Sequence, residues 1–148
     1  MKKCLLLIVF LLASYLTASS QINRLGTPMI SWSDAAETPG DLINLSITMD
    51  KRGVMYFGNE STGIVTYDGT LWGLIPMLTP QRVGALATDH RGVVFAGGDT
   101  DFGFLQPDPV GRLKYSSLAG RIADSTYRSE IGPILSIASD SNTVFFSD

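Results

Sequence analysis

Cysteine and histidine are almost absent from this chain. The one cysteine is Cys4, which lies in an apolar stretch at the N-terminus, and the one histidine is His90. A disulfide needs two cysteines, and zinc sites or Cys/His nucleophile pairs need several such side chains close together. The composition therefore excludes an internal disulfide framework and a Cys/His catalytic pair. We predict no catalytic residue, no metal site and no cofactor in this chain.

Basic residues are few and scattered. Once Lys2 and Lys3 are set aside with the leader described below, 9 basic residues remain against 14 acidic residues, which is a formal charge of −5. An acidic chain without a basic cluster does not attract a phosphate backbone through its overall field. We therefore expect no nucleic-acid binding through this region.

Long hydrophobic runs are absent except at the N-terminus. Residues 5–12 form an apolar run that follows Lys2 and Lys3 and precedes small residues ending at Ser20. This order is typical of a secretory signal peptide, and it predicts cleavage just before Gln21. We expect residues 1–20 to be a signal helix and the chain to be exported to the periplasm. A retained membrane anchor is the alternative, although the run is shorter than the ~20 residues of a spanning helix.

What the chain does contain is a repeat. Met49–Gly58 reads closely like Thr88–Gly97, which follows 39 residues later, and Ser139–Phe146 is a weaker third copy. Each copy joins two short apolar segments through a tight turn. A period near 40 residues built from short strands and turns is typical of a β-propeller, with one blade per repeat.

Five residues recur at the turns of these copies. An aspartate opens each turn, because its carboxylate can bond the backbone two residues later. A glycine follows three residues later in the first two copies, because such turns commonly require a positive φ. We interpret Asp50, Gly53, Asp89, Gly92 and Asp140 as structural turn residues; Thr143 replaces the glycine in the third copy.

The strand pattern predicts an all-β fold, an incomplete β-propeller with about two full four-stranded blades and a partial third. The predicted boundaries are an N-terminal strand and connector over 21–42, a first blade over 43–80, a second blade with an insertion over 81–131, and a partial third blade over 132–148. A closed propeller needs at least four blades, or roughly 160 residues at this period. We therefore expect the chain to be a fragment of a longer protein.

The amino-acid sequence of the repeat resembles that of the two-component regulator propeller family. The resemblance is carried in the first copy by residues 50–59, 63–69 and Trp72, and in the second by Asp89, Gly92 and residues 93–97 and 103–105. The segment 26–28 also looks like the start of such a sensor after its leader. The second copy lacks the Tyr-Asp-Gly that the first has at residues 67–69.

This resemblance implies a periplasmic sensor propeller of the kind found in Bacteroidetes-type hybrid histidine kinases and related membrane-bound regulators. The implied partners are an external ligand, for which a glycan is one candidate, and the remaining blades and signalling module of the full-length protein. The output module, whether a kinase, a phosphatase or a transcription factor, is not encoded in these residues.

Four polar residues in equivalent loops are the candidate ligand contacts. Asn59 and Glu60 follow the second strand of the first copy, and Asp99 and Asp101 occupy the matching register of the second. Loops at one end of a rigid β scaffold commonly carry binding residues. We therefore expect any ligand site in this region to use this loop face.

Three functional hypotheses remain from the sequence. The leading one is a segment of an exported ligand-sensing propeller that regulates a distant output. The second is part of a secreted polysaccharide hydrolase or lyase built on a propeller, with its catalytic carboxylates elsewhere. The third is a truncated gene product without function.

Overall fold

The computed structural model describes residues 30, 32–34 and 36–148. The chain divides into two compact units, residues 1–32 and 33–148, and every element below belongs to the second. The predicted signal peptide (1–20) and residues 21–29 of the predicted N-terminal strand and connector lie outside the described residues. In the described part of the chain, no helix has the length and apolar character needed to cross a membrane.

The described residues are all-β, as predicted, and form three antiparallel sheets of four, four and two strands. The strands of the first sheet are β1 (Asn44–Met49), β2 (Met55–Asn59), β3 (Ile64–Tyr67) and β4 (Trp72–Ile75). Those of the second sheet are β5 (Val83–Thr88), β6 (Val94–Gly98), β7 (Phe102–Pro107) and β8 (Leu113–Ser117). The third sheet is the hairpin of β9 (Ser136–Ser139) and β10 (Val144–Ser147). Strands adjacent in the chain are adjacent in the sheet, so each sheet is a simple meander.

The first two sheets share an irregularity of pairing at the same point. The register shifts between Asn44 and Ser46 in β1, and between Val83 and Ala85 in β5. A β-bulge of this kind bends a strand and increases its local twist. The two shifts are separated by the same 39 residues as the two sequence copies, so the sequence repeat is also a repeat of backbone geometry.

The main apolar core lies between the first and second sheets. Tyr56 and Ile64 project from the first sheet and are fully buried, and Val83 of the second sheet is fully buried as well. Val94 and Leu105 of the second sheet complete the centre of this cluster. Burial of apolar surface at about 25 cal/mol per Å² makes this interface the principal source of stability.

The polar side of β1, rather than its apolar side, faces the second sheet. The Ser46 hydroxyl donates to the carbonyl oxygen of Val83 (3.3 Å), and the Thr48 and Thr88 hydroxyls lie 2.8 Å apart. The strand alternates as its sequence predicts, but its apolar side chains remain exposed by 42–59%: Leu45, Ile47 and Met49.

Burial on both faces distinguishes the second sheet from the first. Every residue of β6 is buried, because the first sheet covers one face and the third sheet covers part of the other. Phe146 of the third sheet packs against Phe95 and Phe102, with ring centroids 6.2 and 4.6 Å apart. Residues 54–57 form a similar apolar run, which predicts burial on both faces in the same way. That prediction is wrong: among the described residues only one face of the first sheet is covered by another sheet, and Val54, Met55 and Phe57 remain partly exposed.

The insertion in the second copy forms helical structure. A 3₁₀ turn spans Ala119–Arg121, and a short helix, α1, spans Ser125–Ser129. The Asp124 carboxylate accepts a hydrogen bond from the Thr126 N–H (2.8 Å) and so caps α1. The polar sequence of residues 116–127 predicts a surface loop or a short helix, and a short helix is present at the end of this segment.

Two glycines allow consecutive sheets to approach closely. A Cβ at Gly58 would clash with the Val83 carbonyl oxygen, and a Cβ at Gly97 would clash with the Ile134 side chain. Gly58 and Gly97 are equivalent in the repeat, and Val83 and Ile134 are equivalent once the insertion is allowed for. The contact between the first and second sheets is therefore repeated between the second and third.

We predict that Gly58→Ala lowers the free energy of unfolding by about 2 kcal/mol, because the added methyl group forces backbone away from Val83. Gly120→Ala is the matched control, since its Cβ would meet no atom within 4 Å, and it should change stability by less than about 0.5 kcal/mol. Urea unfolding monitored by tryptophan fluorescence measures both. Equal effects of the two substitutions would contradict the close approach.

Candidate functional site

Four loops lie together at one end of the first two sheets, which we call the turn end. They span residues 50–54, 68–71, 89–93 and 108–112, and each joins two strands of a hairpin. The turns at Asp50 and Asp89 are those that the sequence identifies as structural. Their side chains also form the wall of a cavity, so their geometry decides what this end of the molecule can bind.

The Asp50 carboxylate is the centre of the first turn. Its Oδ1 accepts the backbone N–H groups of Arg52 (2.9 Å) and Val54 (3.1 Å). Its Oδ2 accepts from Arg52 Nη2 (2.7 Å), Arg52 Nε (2.9 Å) and the Tyr56 hydroxyl (2.9 Å). The Gly53 N–H donates to the Asp50 carbonyl, and Gly53 takes the positive φ of 86° that favours glycine. One carboxylate thus holds the turn and orients the Arg52 side chain.

Asp89 repeats this arrangement in the second sheet. Its Oδ1 accepts the backbone N–H groups of Arg91 (2.9 Å) and Val93 (2.8 Å), and its Oδ2 accepts from Arg91 Nε (3.0 Å). Gly92 has a φ of 92°. The arginine two positions after the aspartate is therefore held by the same carboxylate that closes the turn.

A third turn of the same type begins at Asp108. Its carboxylate accepts from the Val110 N–H (2.9 Å), the Arg112 N–H (2.9 Å) and Arg112 Nε (3.2 Å), and Gly111 has a φ of 87°. The sequence of residues 107–111 by itself predicts only a longer turn between two strands. The signal was present, since Asp108 and Gly111 have the same spacing as Asp50 and Gly53, but the copy lies between the last two strands of its sheet and is out of phase with the repeat.

The turn at Asp140 has a different form. β9 and β10 are joined by residues 140–143, one residue fewer than residues 50–54, and the Asp140 N–H donates to the Thr143 carbonyl (2.8 Å). The Asp140 carboxylate accepts from the adjacent Ser141 N–H (2.6 Å). No residue other than glycine has a positive φ in the described part of the chain. Without a glycine, the chain closes this hairpin by a shorter turn, and Asp140 differs from Asp50 and Asp89.

The turn carboxylates are held in the ionised form. Burial alone would raise the pKa of Asp50, but hydrogen bonds from Arg52, Tyr56 and the backbone outweigh it and lower the pKa. Burial alone would also raise the pKa of Asp89, but hydrogen bonds from Val93 and Arg91 outweigh it and lower the pKa. Burial and the adjacent Asp50 carboxylate raise the pKa of Tyr56 to about 12. Tyr56 therefore remains a hydrogen-bond donor to Asp50 at any physiological pH.

A cavity of about 330 Å³ opens between the first and second sheets at the turn end. Its rim carries the cationic side chains of Lys51, Arg52 and Arg91. The rest of its lining is mainly apolar: Tyr56, Val94 and Leu105 are buried, and Leu113 and Pro107 are more exposed. The described cavity thus combines positive charge at its mouth with an apolar interior.

The four predicted ligand contacts lie at the opposite end of the sheets: Asn59 is the last residue of β2, and the other three lie in the loops that follow β2 and β6 or at the end of such a loop. Asn59 is fully buried. Its amide nitrogen donates to the carbonyl oxygens of Asp41 (2.7 Å) and Ile43 (3.1 Å), and its oxygen accepts from the Thr62 hydroxyl (2.8 Å). Asn59 therefore ties the connector before β1 to the loop after β2 and does not face solvent.

The other three candidates are spread across that end. Glu60 is exposed. Asp99 pairs with Arg82 (3.0 Å), and the Asp101 carboxylate accepts from the Ser117 hydroxyl (2.6 Å). These contacts occupy the two aspartates within the second sheet and do not bring them together with Glu60 into one pocket among those described.

Metal-ligating side chains do not cluster in the described part of the chain. No group of three or more His, Cys, Asp or Glu side chains there could hold a metal ion. His90 is exposed beside the Asp89 turn. The cavity at the turn end, which the sequence alone does not indicate, brings cationic and apolar side chains together in one place.

Comparison with known proteins assigns no family: no family model, no curated protein and no solved structure matches this chain. Membership of the two-component regulator propeller family stays a prediction from the wording of the repeat. The functional inferences below accordingly depend on the repeat, the packing of the sheets and the geometry of the turn end.

We predict that Asp50→Asn lowers the free energy of unfolding by about 2–3 kcal/mol, because the variant loses a buried carboxylate with five donors. Asp108→Asn is the matched control. Its carboxylate closes a turn of the same type with three donors and is more exposed to solvent, so we expect a clearly smaller loss of stability. Urea unfolding at neutral pH compares the two.

The pH dependence of this difference separates charge from shape. Because the pKa of Asp50 is lowered on folding, its stabilisation is present above the unfolded value of about 4 and is lost as the pH falls through the folded value. The gap between wild type and Asp50→Asn should therefore shrink as the pH is lowered below about 4. A gap that does not change with pH would contradict the role of the ionised carboxylate.

Proposed function

We propose that the chain is a segment of an exported, ligand-sensing β-propeller that belongs to a two-component-type signalling regulator. In this proposal the first and second sheets are complete blades and the third sheet is part of a blade. The ligand is an external molecule, for which a glycan is one candidate, and the chain has no catalytic role of its own.

The observation that carries the proposal is the repeated contact between consecutive sheets. Val83 of the second sheet packs closely against Gly58 of the first. In the same way Ile134, which lies just before β9 of the third sheet, packs against Gly97 of the second. The first strands β1, β5 and β9 contact one another in that order. One packing relation that repeats from the first sheet to the second and from the second to the two-stranded third supports an arrangement around a common axis, which is how propeller blades are related.

The exposed faces agree with this arrangement. Leu45 and Ile47 project from the uncovered face of the first sheet, and Phe145 projects from the uncovered face of the third, each more than 40% exposed. Large apolar side chains on sheet faces are normally covered by a neighbouring element. Further blades on both sides would cover them, as the first and third sheets cover the second.

The sensory role is supported by the resemblance of the repeat and by the leader sequence. Propellers present several loops at each end of a rigid ring, and such loops are suited to ligand binding. Fold alone does not determine function. Export and ligand binding therefore need separate experiments.

Export is tested with a fusion of residues 1–42 to an alkaline phosphatase that becomes active only outside the cytoplasm. We expect an active fusion, because the basic start and apolar run direct secretion. The same fusion with Leu7 and Ile8 replaced by arginine should be inactive, since charges interrupt the apolar run. If neither fusion is active, the proposed location is wrong.

Ligand binding is tested by thermal unfolding of the purified chain with a panel of neutral and acidic oligosaccharides. We expect one class to raise Tm by about 5 °C at ten times its Kd, since binding to the folded state stabilises it by mass action. A chain that binds none of the panel while remaining folded would contradict the glycan assignment.

A further inference from the structure

We propose that the cavity at the turn end is a binding site for a small organic carboxylate with an apolar body, such as an arylacetic acid. This site is separate from the glycan contact of the proposed function and does not depend on it. The inference is drawn from the charge at the mouth of the cavity, the chemistry of its interior and the orientation of its arginines.

At the mouth of the cavity the cationic side chains are exposed to solvent, whereas the carboxylates that pair with them are buried. The side chains of Asp50 and Asp89 are only 4% and 3% exposed, whereas those of Arg52 and Arg91 are 65% and 68% exposed. Lys51 adds a third cation at the same rim. Asp50 is the one acidic residue lining the cavity, and it is already covered by Arg52 and Tyr56. An anion approaching the cavity therefore meets positive charge first.

The buried carboxylates also fix the direction of the guanidinium groups. Asp89 accepts the Nε proton of Arg91, and Asp50 accepts from Nε and Nη2 of Arg52. A guanidinium has five N–H donors in a rigid plane, so the edge that faces away from the aspartate remains able to bind a second carboxylate. Because both arginines are already oriented, binding costs little side-chain entropy.

The interior of the cavity selects the rest of the ligand. Val94, Leu105 and Leu113 line it, and the one hydroxyl in the lining, that of Tyr56, is already engaged with Asp50. A polyhydroxylated sugar acid would lose hydrogen bonds to water on entering and find few replacements. An aromatic or branched aliphatic body would instead bury apolar surface. A volume of about 330 Å³ lies at the lower end of ligand cavities, so the ligand is small.

Phenylacetate is the probe, with phenylacetamide as its neutral analogue and glucuronate as its polar analogue. Titration of the purified chain, followed by methyl NMR, should give a Kd of about 1 mM for phenylacetate, as expected for so small a ligand. The largest shifts should fall on the methyl groups of Val94, Leu105 and Leu113. Phenylacetamide and glucuronate should bind at least about tenfold more weakly.

Three variants test which cationic side chains contribute to the binding of phenylacetate. Arg91→Gln and Lys51→Gln should each weaken phenylacetate binding, with the arginine change costing about tenfold. Arg112→Gln is the matched control: Arg112 also pairs through Nε with a turn aspartate, four positions before it, but it does not line the cavity. It should change the Kd by less than about twofold. A cooperative unfolding transition in each variant would show that both remain folded.

Each other outcome overturns the inference. Equal losses in Arg91→Gln and Arg112→Gln would indicate attraction by overall charge alone. Shifts confined to Leu118 would place the ligand in a second apolar cavity, of about 340 Å³, lined by Phe95 and Phe104. Tighter binding of glucuronate, or no binding of phenylacetate to a folded chain, would refute the ligand class. The thermal assay of oligosaccharide binding is a separate measurement, so its outcome does not depend on these results.

Discussion

The packing of one sheet against the next depends on the absence of a side chain at two equivalent positions. At Gly58 the Val83 carbonyl oxygen of the next unit comes so close that no Cβ would fit, and at Gly97 the Ile134 side chain does the same. Interiors pack as densely as organic crystals, so a displacement there would be transmitted to the neighbouring layers. The burial of Tyr56, the contact of Thr48 with Thr88 and the cavity at the turn end all require this separation between the sheets.

The turn aspartates link this packing to surface chemistry. A buried carboxylate is tolerated only when hydrogen bonds and a cation compensate its lost hydration. Asp50 and Asp89 obtain both from the turn backbone and from the arginine two residues later. The same contacts that close the hairpins also hold two guanidinium groups at the mouth of one cavity. The hydrogen bonds that stabilise the repeated turns therefore also place cationic side chains where the two sheets meet.

The covering of the sheets determines which apolar residues are buried. β6 is buried along its whole length because sheets lie on both sides, whereas β2 has a neighbouring sheet on one side only. The two strands have similar sequences, so their different exposure reflects position in the stack. The exposed apolar faces of the first and third sheets follow from the same cause.

The sequence by itself determined the local structure: the strands, the hairpins and the turn residues Asp50, Gly53, Asp89 and Gly92. These features depend on alternation and on bonds between residues a few positions apart, which the sequence displays directly. Only the tertiary structure decided that the polar side of β1 faces inward, that Asn59 is buried, and that Lys51, Arg52 and Arg91 share one cavity. These facts depend on contacts between residues about 20 to 40 positions apart, and alternation cannot specify which face of a strand another sheet will cover.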